Sequence, residues 1–419
     1  MTTSVLRNGR IADGRLVDIV CVDGLVTTVA PAGSAVPASI SVDAEIHDLA
    51  GLLVMPAATE PHAHIDKAFT ADRSVNQTGD LMGAVTAARS HHHTLTVADM
   101  EARAERAAMM SLANGITVIR THVDLSPSIG LKAVEAVVNV RERLRGLIDI
   151  QIVPLVSAPT TGASGAEARA RQREAHDMGA DVVGGCPHFE DDPPAAIDAF
   201  VELAASRNLL IDLHVDETLD PTVLTLRDYA RLVRSYGWEN KATASHCVSL
   251  SMQTAELQAV IADEVAVAGI SIVVNPQTNL FLQSRGITTA PPRGLAPISV
   301  LRSAGVNVAG GADNLQDPFN TVGRADPMET AALLVMAGHL AADDAYELVS
   351  DTARRALGLR PVALTPGSPA DFLAIDAVNV REAVASASGT RNVFKGGRLV
   401  SSSVRTIEFC SPHAIPGVR

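Results

Sequence analysis

The middle of the chain, residues 56–361, alternates short apolar runs with longer stretches rich in Ala, Leu, Glu and Arg. Short apolar runs are typical of strands buried on both faces, and the stretches between them have the length of helices. The predicted strands are 52–56, 116–122, 148–153, 181–184, 209–214, 242–246, 270–274 and 306–309, and the clearest helical stretches are 97–113, 129–145, 165–178, 195–206 and 251–266. This alternation limits the fold to a parallel α/β sheet, either closed into a barrel or open and doubly wound.

Residues capable of catalysis end or follow several of these predicted strands. His62 follows the first strand, His214 ends the fifth, His246 ends the sixth and Asp313 follows the eighth. In a barrel the carboxyl ends of all strands meet at one opening, whereas in an open sheet they spread along an edge. We therefore predict a (β/α)8 TIM barrel over residues 56–361.

Both ends of the chain, residues 1–55 and 362–419, carry short β-type runs that are broken by turns. Examples of these runs are 16–21, 26–29, 371–375 and 395–400. Each end alone is too small to form a stable sheet. We predict that the two ends pair into one small β-sandwich domain beside the barrel.

The charge and the cysteines narrow the class of partner. A net charge of −13 over 419 residues argues against nucleic acids and anionic membranes as partners. No apolar stretch approaches the roughly 20 residues that span a bilayer, and no signal peptide is visible. Cys21, Cys186, Cys247 and Cys410 form no CxxC pair, so we expect free thiols. We expect a cytoplasmic protein that acts on a small molecule; the sequence leaves open whether it is a homo-oligomer.

The pair His62 and His64 is the clearest sign of a metal site. Two histidines at positions i and i+2 of an extended segment lie on the same face, so both can reach one ion. With His214 and Asp313 they offer three imidazoles and one carboxylate, a set that suits Zn²⁺ or Fe²⁺, with Mn²⁺ as an open alternative. Such an ion would activate a water molecule near neutral pH.

Two further residues fit hydrolytic chemistry. Glu217 lies three residues beyond His214, where a carboxylate can carry a proton between the water and a leaving group. His246 could bond to the activated water, polarise the substrate or act as another ligand. Taken singly, each histidine could be a structural core residue, and Asp313 could cap a helix. The ordered series along the strands favours the metal site.

Seven segments together resemble the amidohydrolase superfamily, and within it the cytosine deaminase branch. They are 60–66 (EPHAHID), 120–124 (RTHVD), 150–153 (IQIV), 187–190 (PHFE), 214–217 (HVDE), 244–246 (ASH) and 313–319 (DNLQDPF). The resemblance implies a distorted (β/α)8 barrel with a β-sandwich made from both termini. It implies that His62, His64, His214 and Asp313 bind one metal. It also implies that Glu217 transfers protons and that His246 with Asp313 activates the water.

The end of the fourth predicted strand indicates the number of metals. Many amidohydrolases hold two ions with a carboxylated lysine at this place, but here the segment 184–188 (GGCPH) offers none. Only four of the 34 basic residues of the chain are lysines. We expect a mononuclear site.

The substrate class follows from this chemistry. An activated water beside a proton-carrying carboxylate suits attack on a ring carbon that bears an amino group, with release of ammonia. We predict a deaminase of an amino-substituted N-heterocycle, similar to a pyrimidine, triazine or purine. The alternatives are a cyclic amidase, an alkylamine-releasing triazine-type aminohydrolase and a catalytically inactive barrel that binds a ligand. Glu217 argues against the last, because a binding protein needs no proton carrier.

Three positions depart from cytosine deaminases. Ser157 stands nearest the place of a glutamine that reads the pyrimidine ring, Asn314 replaces an aspartate and Phe319 replaces a tryptophan. The short hydroxyl of Ser157 cannot make the same two-point contact, Asn314 can donate where an ionised aspartate only accepts, and Phe319 lacks the indole N–H. We therefore expect cytosine to be a poor substrate.

Further side chains are candidates for the pocket. Arg285 and Arg324, from the loops after strands 7 and 8, are candidate substrate contacts. His122, Asp124 and His188 either line the pocket or support the metal ligands.

Overall fold

The computed structural model describes residues 2–34 and 44–408. The strands in these residues are β1 (Thr3–Arg10), β2 (Leu16–Val22), β3 (Leu25–Pro31), β4 (Glu45–Asp48), β5 (Leu53–Pro56), β6 (Ala58–Ala63), β7 (Ile116–Asp124), β8 (Asp149–Val156), β9 (Val182–Gly185), β10 (Leu210–Val215), β11 (Ala242–His246), β12 (Ser271–Val274), β13 (Val308–Gly310), β14 (Phe372–Ile375), β15 (Arg391–Lys395) and β16 (Arg398–Ser403). The strands form two sheets, and each sheet has its own role in the molecule.

Strands β6 to β13 form the barrel. They lie in sequence order, and every neighbouring pair is parallel. The two ends of this sheet meet where the Asp313 amide donates to the His62 carbonyl at 2.9 Å. The Glu60 carboxylate reinforces the closure by accepting hydrogen bonds from the amides of His62 and Ala312. The predicted distorted (β/α)8 barrel is therefore confirmed.

Helices surround the barrel and connect its strands. They are α1 (Leu81–His91), α2 (Val97–Ala113), α3 (Lys132–Arg143), α4 (Ala166–Asp177), α5 (Pro193–Arg207), α6 (Thr225–Ser235), α7 (Ala255–Val267), α8 (Pro276–Leu282), α9 (Ile298–Ser303), α10 (Pro327–Gly338), α11 (Ala342–Leu348), α12 (Asp351–Ala356) and α13 (Val380–Ser386). Their apolar sides pack against the barrel strands in one large core. None of the helices in the described residues is both long and apolar enough to cross a membrane.

The second sheet is built from both ends of the chain, as predicted. Its order is β16–β15–β14–β5–β1–β2–β3, with β4 beside β1. It has a separate apolar core to which both ends contribute, including Leu6, Ile19, Phe372 and Phe394. The exact division at residues 55/56 and 361/362 stays a prediction, and residues 1, 35–43 and 409–419 lie outside the described part, as does Cys410.

One predicted strand belongs to the other sheet. The run 52–56 is β5, which pairs with β14 in the terminal sheet, and the first barrel strand is β6. The run is apolar throughout because β5 lies between two cores. Leu53 and Met55 pack into the barrel core, while Val54 packs into the terminal core. His62 therefore lies within a barrel strand and does not follow it.

Candidate active site

Four side chains converge at the carboxyl end of the barrel. His62 is in β6, His64 follows it, His214 is in β10 and Asp313 lies just beyond β13. The His214 Nε2 atom is 3.2 Å from His62 Nε2 and 3.3 Å from His64 Nε2. Asp313 Oδ1 is 3.6 Å from His62 Nε2 and 3.2 Å from His64 Nε2. Two ligands about 2.1 Å from one ion are about 3 to 3.5 Å apart, so these spacings fit a single metal ion.

Hydrogen bonds behind the rings set the tautomers of His62 and His64. His62 Nδ1 is 2.8 Å from the Ser245 hydroxyl, which itself donates to Asp212 at 3.1 Å. His62 Nδ1 is therefore the donor, and its Nε2 carries a lone pair. His64 Nδ1 donates to the carbonyl of His122 at 3.0 Å, so its Nε2 also carries a lone pair.

These lone pairs point at further acceptors. The His64 Nε2 atom lies 3.2 Å from Oδ1 of Asp313. Neither carboxylate oxygen of Asp313 has a hydrogen-bond partner among the described residues. Burial lowers the pKa of His62, His64 and His214 well below the usual value, which keeps the rings neutral. Neutral imidazoles and a carboxylate that converge in a buried place repel one another unless a cation lies between them. The donor set fits a divalent ion.

The two candidate proton-handling residues lie beside this cluster. Glu217 follows β10, and its Oε1 is 3.5 Å from His246 Nδ1. His246 Nε2 is 3.9 Å from Asp313 Oδ2, so the ring stands between two carboxylates. Burial, with the nearby charge of Asp313, raises the pKa of Glu217 well above its usual value. A carboxyl group in this state can hold a proton and release it.

The backbone at these strand ends is strained. Asp216, His246 and Asp313 have φ values of 51°, 72° and 67°. Residues with a side chain adopt this left-handed conformation at a cost of about 1 kcal/mol or more. The sharp turns aim Glu217, His246 and Asp313 into one space instead of letting the chain run on into the next helix.

A cavity of about 290 Å³ opens beside these residues. Ser157, Asn314 and Phe319, which the sequence predicts as substrate contacts, line it together with Glu217 and His246. The Asn314 amide is partly used within the protein, since it donates to Asp317 at 2.7 Å. The volume is at the small end of the range for ligand pockets, which suits a ligand of one or two rings.

Arg285 and Arg324 do not line the cavity. The Arg285 guanidinium lies over the ring of Phe281, 4.8 Å from its centroid, and bonds to the Phe281 carbonyl. Arg324 is 75% exposed and pairs with Glu329 at 3.4 Å. Local partners hold both side chains outside the cavity. The structure therefore does not support the prediction that these arginines contact the substrate.

The three histidine and aspartate candidates are divided between the cavity wall and its support. Asp124 lines the cavity. His122 is fully buried, and its ring stacks on His62 with centroids 4.1 Å apart. His188 donates through Nδ1 to the His214 carbonyl at 3.1 Å. His122 and His188 therefore pack behind the candidate metal ligands.

Several lining residues are missing from the sequence prediction. Lys67 reaches the cavity from a turn and His92 from a short 3-10 helix after α1, and α1 covers the cavity with Leu81, Met82 and Val85. His92 is buried and within 2.9 Å of Ser128, although the run 91–93 looks like a solvated tract in the sequence. Only Lys67 gives a usable sequence signal, as a rare lysine three residues after a ligand histidine.

Comparisons with known proteins agree with this geometry. The family model described as "Amidohydrolase family" matches residues 76–401. A pterin deaminase of Rhizobium rhizogenes is 34% identical over 395 residues, which cover 92% of this chain and 88% of that protein. The structure of 5-methylcytosine deaminase from Klebsiella pneumoniae has a TM-score of 0.86 and 28% identity, and the match covers 97% of this chain and 99% of that one.

The name of a third similar protein refers to an isopropylamino group. The N-isopropylammelide isopropylaminohydrolase of Burkholderia multivorans has a TM-score of 0.83 and 28% identity, with 96% of this chain and 99% of that chain covered. The family match extends over most of the barrel and into the terminal sheet. The chain belongs to the amidohydrolase family.

Proposed function

We propose that the protein is a metal-dependent hydrolase that removes the amino group from an N-heterocycle and releases ammonia. The observation that carries this proposal is the buried Glu217 beside the convergence of His62, His64, His214 and Asp313 at one cavity. A hydrolytic deaminase needs this combination of a metal site and a proton carrier. The pterin deaminase and 5-methylcytosine deaminase among its relatives support the reaction class.

The residues divide the work of the reaction. A divalent ion held by the three histidines and Asp313 would provide an activated water for attack on the amino-bearing carbon. Glu217 takes the proton that the water loses and delivers it to the amino nitrogen, so that nitrogen leaves as ammonia when the carbon–nitrogen bond breaks. His246, between Glu217 and Asp313, orients the attacking water and the ring.

The proposed ion is a single Zn²⁺ or Fe²⁺, with Mn²⁺ as the alternative, because three imidazoles and one carboxylate suit these metals. We also propose a cytoplasmic location. The described cysteines Cys21, Cys186 and Cys247 are free thiols, as is usual in a reducing compartment.

The test is a screen of metal-loaded protein against aminopyrimidines, aminotriazines, aminopurines, pterins and cyclic amides. Ammonia and alkylamines are scored separately, which distinguishes deamination from alkylamine release. Ring opening of the cyclic amides releases neither and is followed as loss of substrate. We expect ammonia from at least one amino-heterocycle. Release of alkylamine alone, or of no product at all, would contradict the proposal.

Glu217→Gln tests the proton carrier. The amide cannot transfer a proton, so we expect turnover to fall by about 100-fold to 10,000-fold while the metal content stays the same. Glu202→Gln is the control, since Glu202 is exposed on α5 far from the cavity lining. Full activity of Glu217→Gln would show that another group moves the proton.

A further inference from the structure

Lys67 is a cavity-lining residue without an assigned role. It follows the ligand His64 by three residues in the turn after β6. Its backbone is fixed on both sides, because its amide donates to the His64 carbonyl at 3.4 Å and its carbonyl accepts from the Thr70 hydroxyl at 2.6 Å. The side chain lines the same cavity as Glu217 and Asp313. The backbone of Lys67 is therefore held in place, and its side chain extends to the cavity.

The Lys67 ammonium group lacks a partner. Among residues 2–34 and 44–408 it makes no hydrogen bond, and no carboxylate oxygen lies within 4.0 Å. The Lys67 Nζ atom lies over the ring of Phe319, 5.1 Å from the ring centroid. Such a contact is weaker than a hydrogen bond and leaves the N–H groups of the ammonium free.

Three of the four carboxylates around Lys67 accept other hydrogen bonds, and the fourth, Asp313, belongs to the candidate metal site. Asp66 accepts from the Asp124 amide at 3.0 Å, Asp124 accepts from the Ser126 amide at 2.6 Å, and Asp317 accepts from Asn314. Burial by itself would lower the pKa of Lys67. The negative charges of the nearby carboxylates have the larger combined effect and raise the pKa of Lys67 above its usual value. The group therefore remains a cation that faces the cavity with its donors free.

Lys67 is half-buried, and its ammonium faces the cavity without an acceptor in the described part of the chain. A ligand that brings an acceptor into the cavity would supply the missing hydrogen bond. Other polar side chains also line the cavity, among them His92, Asp124 and the exposed Arg89 of α1. Ser157 has only a short hydroxyl at the end of β8, and the Asn314 amide already donates to Asp317. An oxo oxygen on the heterocycle is an acceptor of the right kind.

We propose that Lys67 is a specificity-determining residue that donates a hydrogen bond to an oxo oxygen of the ring. The preferred substrates are then amino-oxo heterocycles, and rings with the amino group alone are poor substrates. This inference rests on the proposed deaminase function and names the substrate class more closely.

The test compares Lys67→Met with the unchanged protein on pairs of rings that differ in the oxo oxygen and in the ring N–H that accompanies it. The pairs are pterin with 2-aminopteridine, isocytosine with 2-aminopyrimidine, and cytosine with 4-aminopyrimidine. A hydrogen bond from a charged group is worth about 1.5 to 3 kcal/mol, which corresponds to about 10-fold to 150-fold. We expect kcat/KM to fall by this factor on the oxo member of the active pair and by less than about threefold on its partner.

Two further variants serve as controls. Lys67→Arg keeps the charge and the donors, so it should retain much of the preference for the oxo ring. Lys132→Met removes an exposed lysine at the start of α3 and should leave kcat/KM unchanged on both rings. An equal loss on both rings with Lys67→Met, or no loss on either, would overturn the inference.

A binding measurement separates this inference from the proposed function. Calorimetry of the same ring pairs is carried out with metal-loaded Glu217→Gln protein, with and without Lys67→Met. We expect the oxo ring to bind about 10-fold or more tightly only when Lys67 is present. If the unchanged protein deaminates nothing but this binding difference exists, the proposed function fails and the role of Lys67 stands. If deamination occurs without the difference, only the role of Lys67 fails.

Discussion

The orientation of His62, a proposed metal ligand, depends on residues outside the proposed metal site. Arg120 is fully buried and donates to Asp212 at 2.9 Å, Asp212 accepts from the Ser245 hydroxyl, and Ser245 accepts from His62 Nδ1. This series of hydrogen bonds crosses the barrel interior from β7 to β11. It leaves His62 only one way to direct its lone pair. Such supporting bonds commonly contribute 10-fold to 100-fold to metal affinity.

Ser245→Ala is therefore expected to weaken metal binding. The change removes the acceptor of His62 Nδ1–H, so the ring loses its fixed orientation and tautomer. We expect about a 10-fold to 100-fold loss of affinity, measured by titration of metal-free protein against a competing chelator. Ser206→Ala, on the exposed side of α5, should bind metal normally. Equal affinity of the two variants would show that Ser245 does not orient His62.

At the scale of single elements, the sequence predicts barrel strands better than it predicts what lies at their ends. Strands β7 to β12 overlap the predicted runs because each is a compact apolar segment between helical stretches. The predicted ligands meet because parallel strands bring their carboxyl ends together. The run 52–56 is wrong as a barrel strand since an apolar run does not state which of two cores it borders.

The cavity wall shows a second limit of sequence reasoning. Lys67 and His92 reach the cavity through the folding of turns, and no periodic pattern specifies where such side chains point. Arg285 and Arg324 show the same limit, because local contacts with Phe281 and Glu329 hold their side chains away from the cavity, and their contact with substrate stays a prediction. Strand-end residues are therefore more predictable than loop residues.

Helix α1 forms an apolar wall of the cavity, and Asp80 holds its first turn. The Asp80 carboxylate accepts from the Gly83 amide at 2.7 Å as an N-cap. Leu81, Met82 and Val85 follow directly and line the cavity. Loosening this cap should disturb substrate binding more than it disturbs the fold.

Asp80→Ala should raise KM by about fivefold and leave kcat nearly unchanged, since loss of an N-cap costs about 1 kcal/mol. Steady-state kinetics on the best substrate of the panel, together with thermal unfolding, provide the measurement. Thr254→Ala is the matched control, because Thr254 caps α7 through the Leu257 amide but lies outside the cavity lining. A KM change of the same size in the control would show that α1 has no special role.

At the scale of the whole molecule, the terminal sheet is held to the barrel by a buried ion pair. Arg391 in β15 donates to both Asp326 oxygens, at 3.0 and 2.8 Å, and to the Asn114 carbonyl at 2.8 Å. Asp326 is also the N-cap of α10. One contact therefore joins the sheet, a barrel helix and the turn between α2 and β7. Together with β5, which contacts both cores, it should make the two units unfold together.

Arg391→Met tests this coupling. The variant leaves the Asp326 carboxylate without its partner, which should cost about 3 kcal/mol of stability. Urea unfolding is followed by circular dichroism and by the fluorescence of Trp238, the single tryptophan of the chain, which lies in the barrel just after α6. We expect one shared transition at lower urea. Arg398→Met removes an exposed hydrogen bond to the Gly146 carbonyl and should lower the free energy of unfolding by less than about 1 kcal/mol. An unchanged midpoint for Arg391→Met would mean that the ion pair contributes nothing measurable. Other contacts, such as those of β5 and the Lys395–Asp149 pair, would then hold the sheet to the barrel.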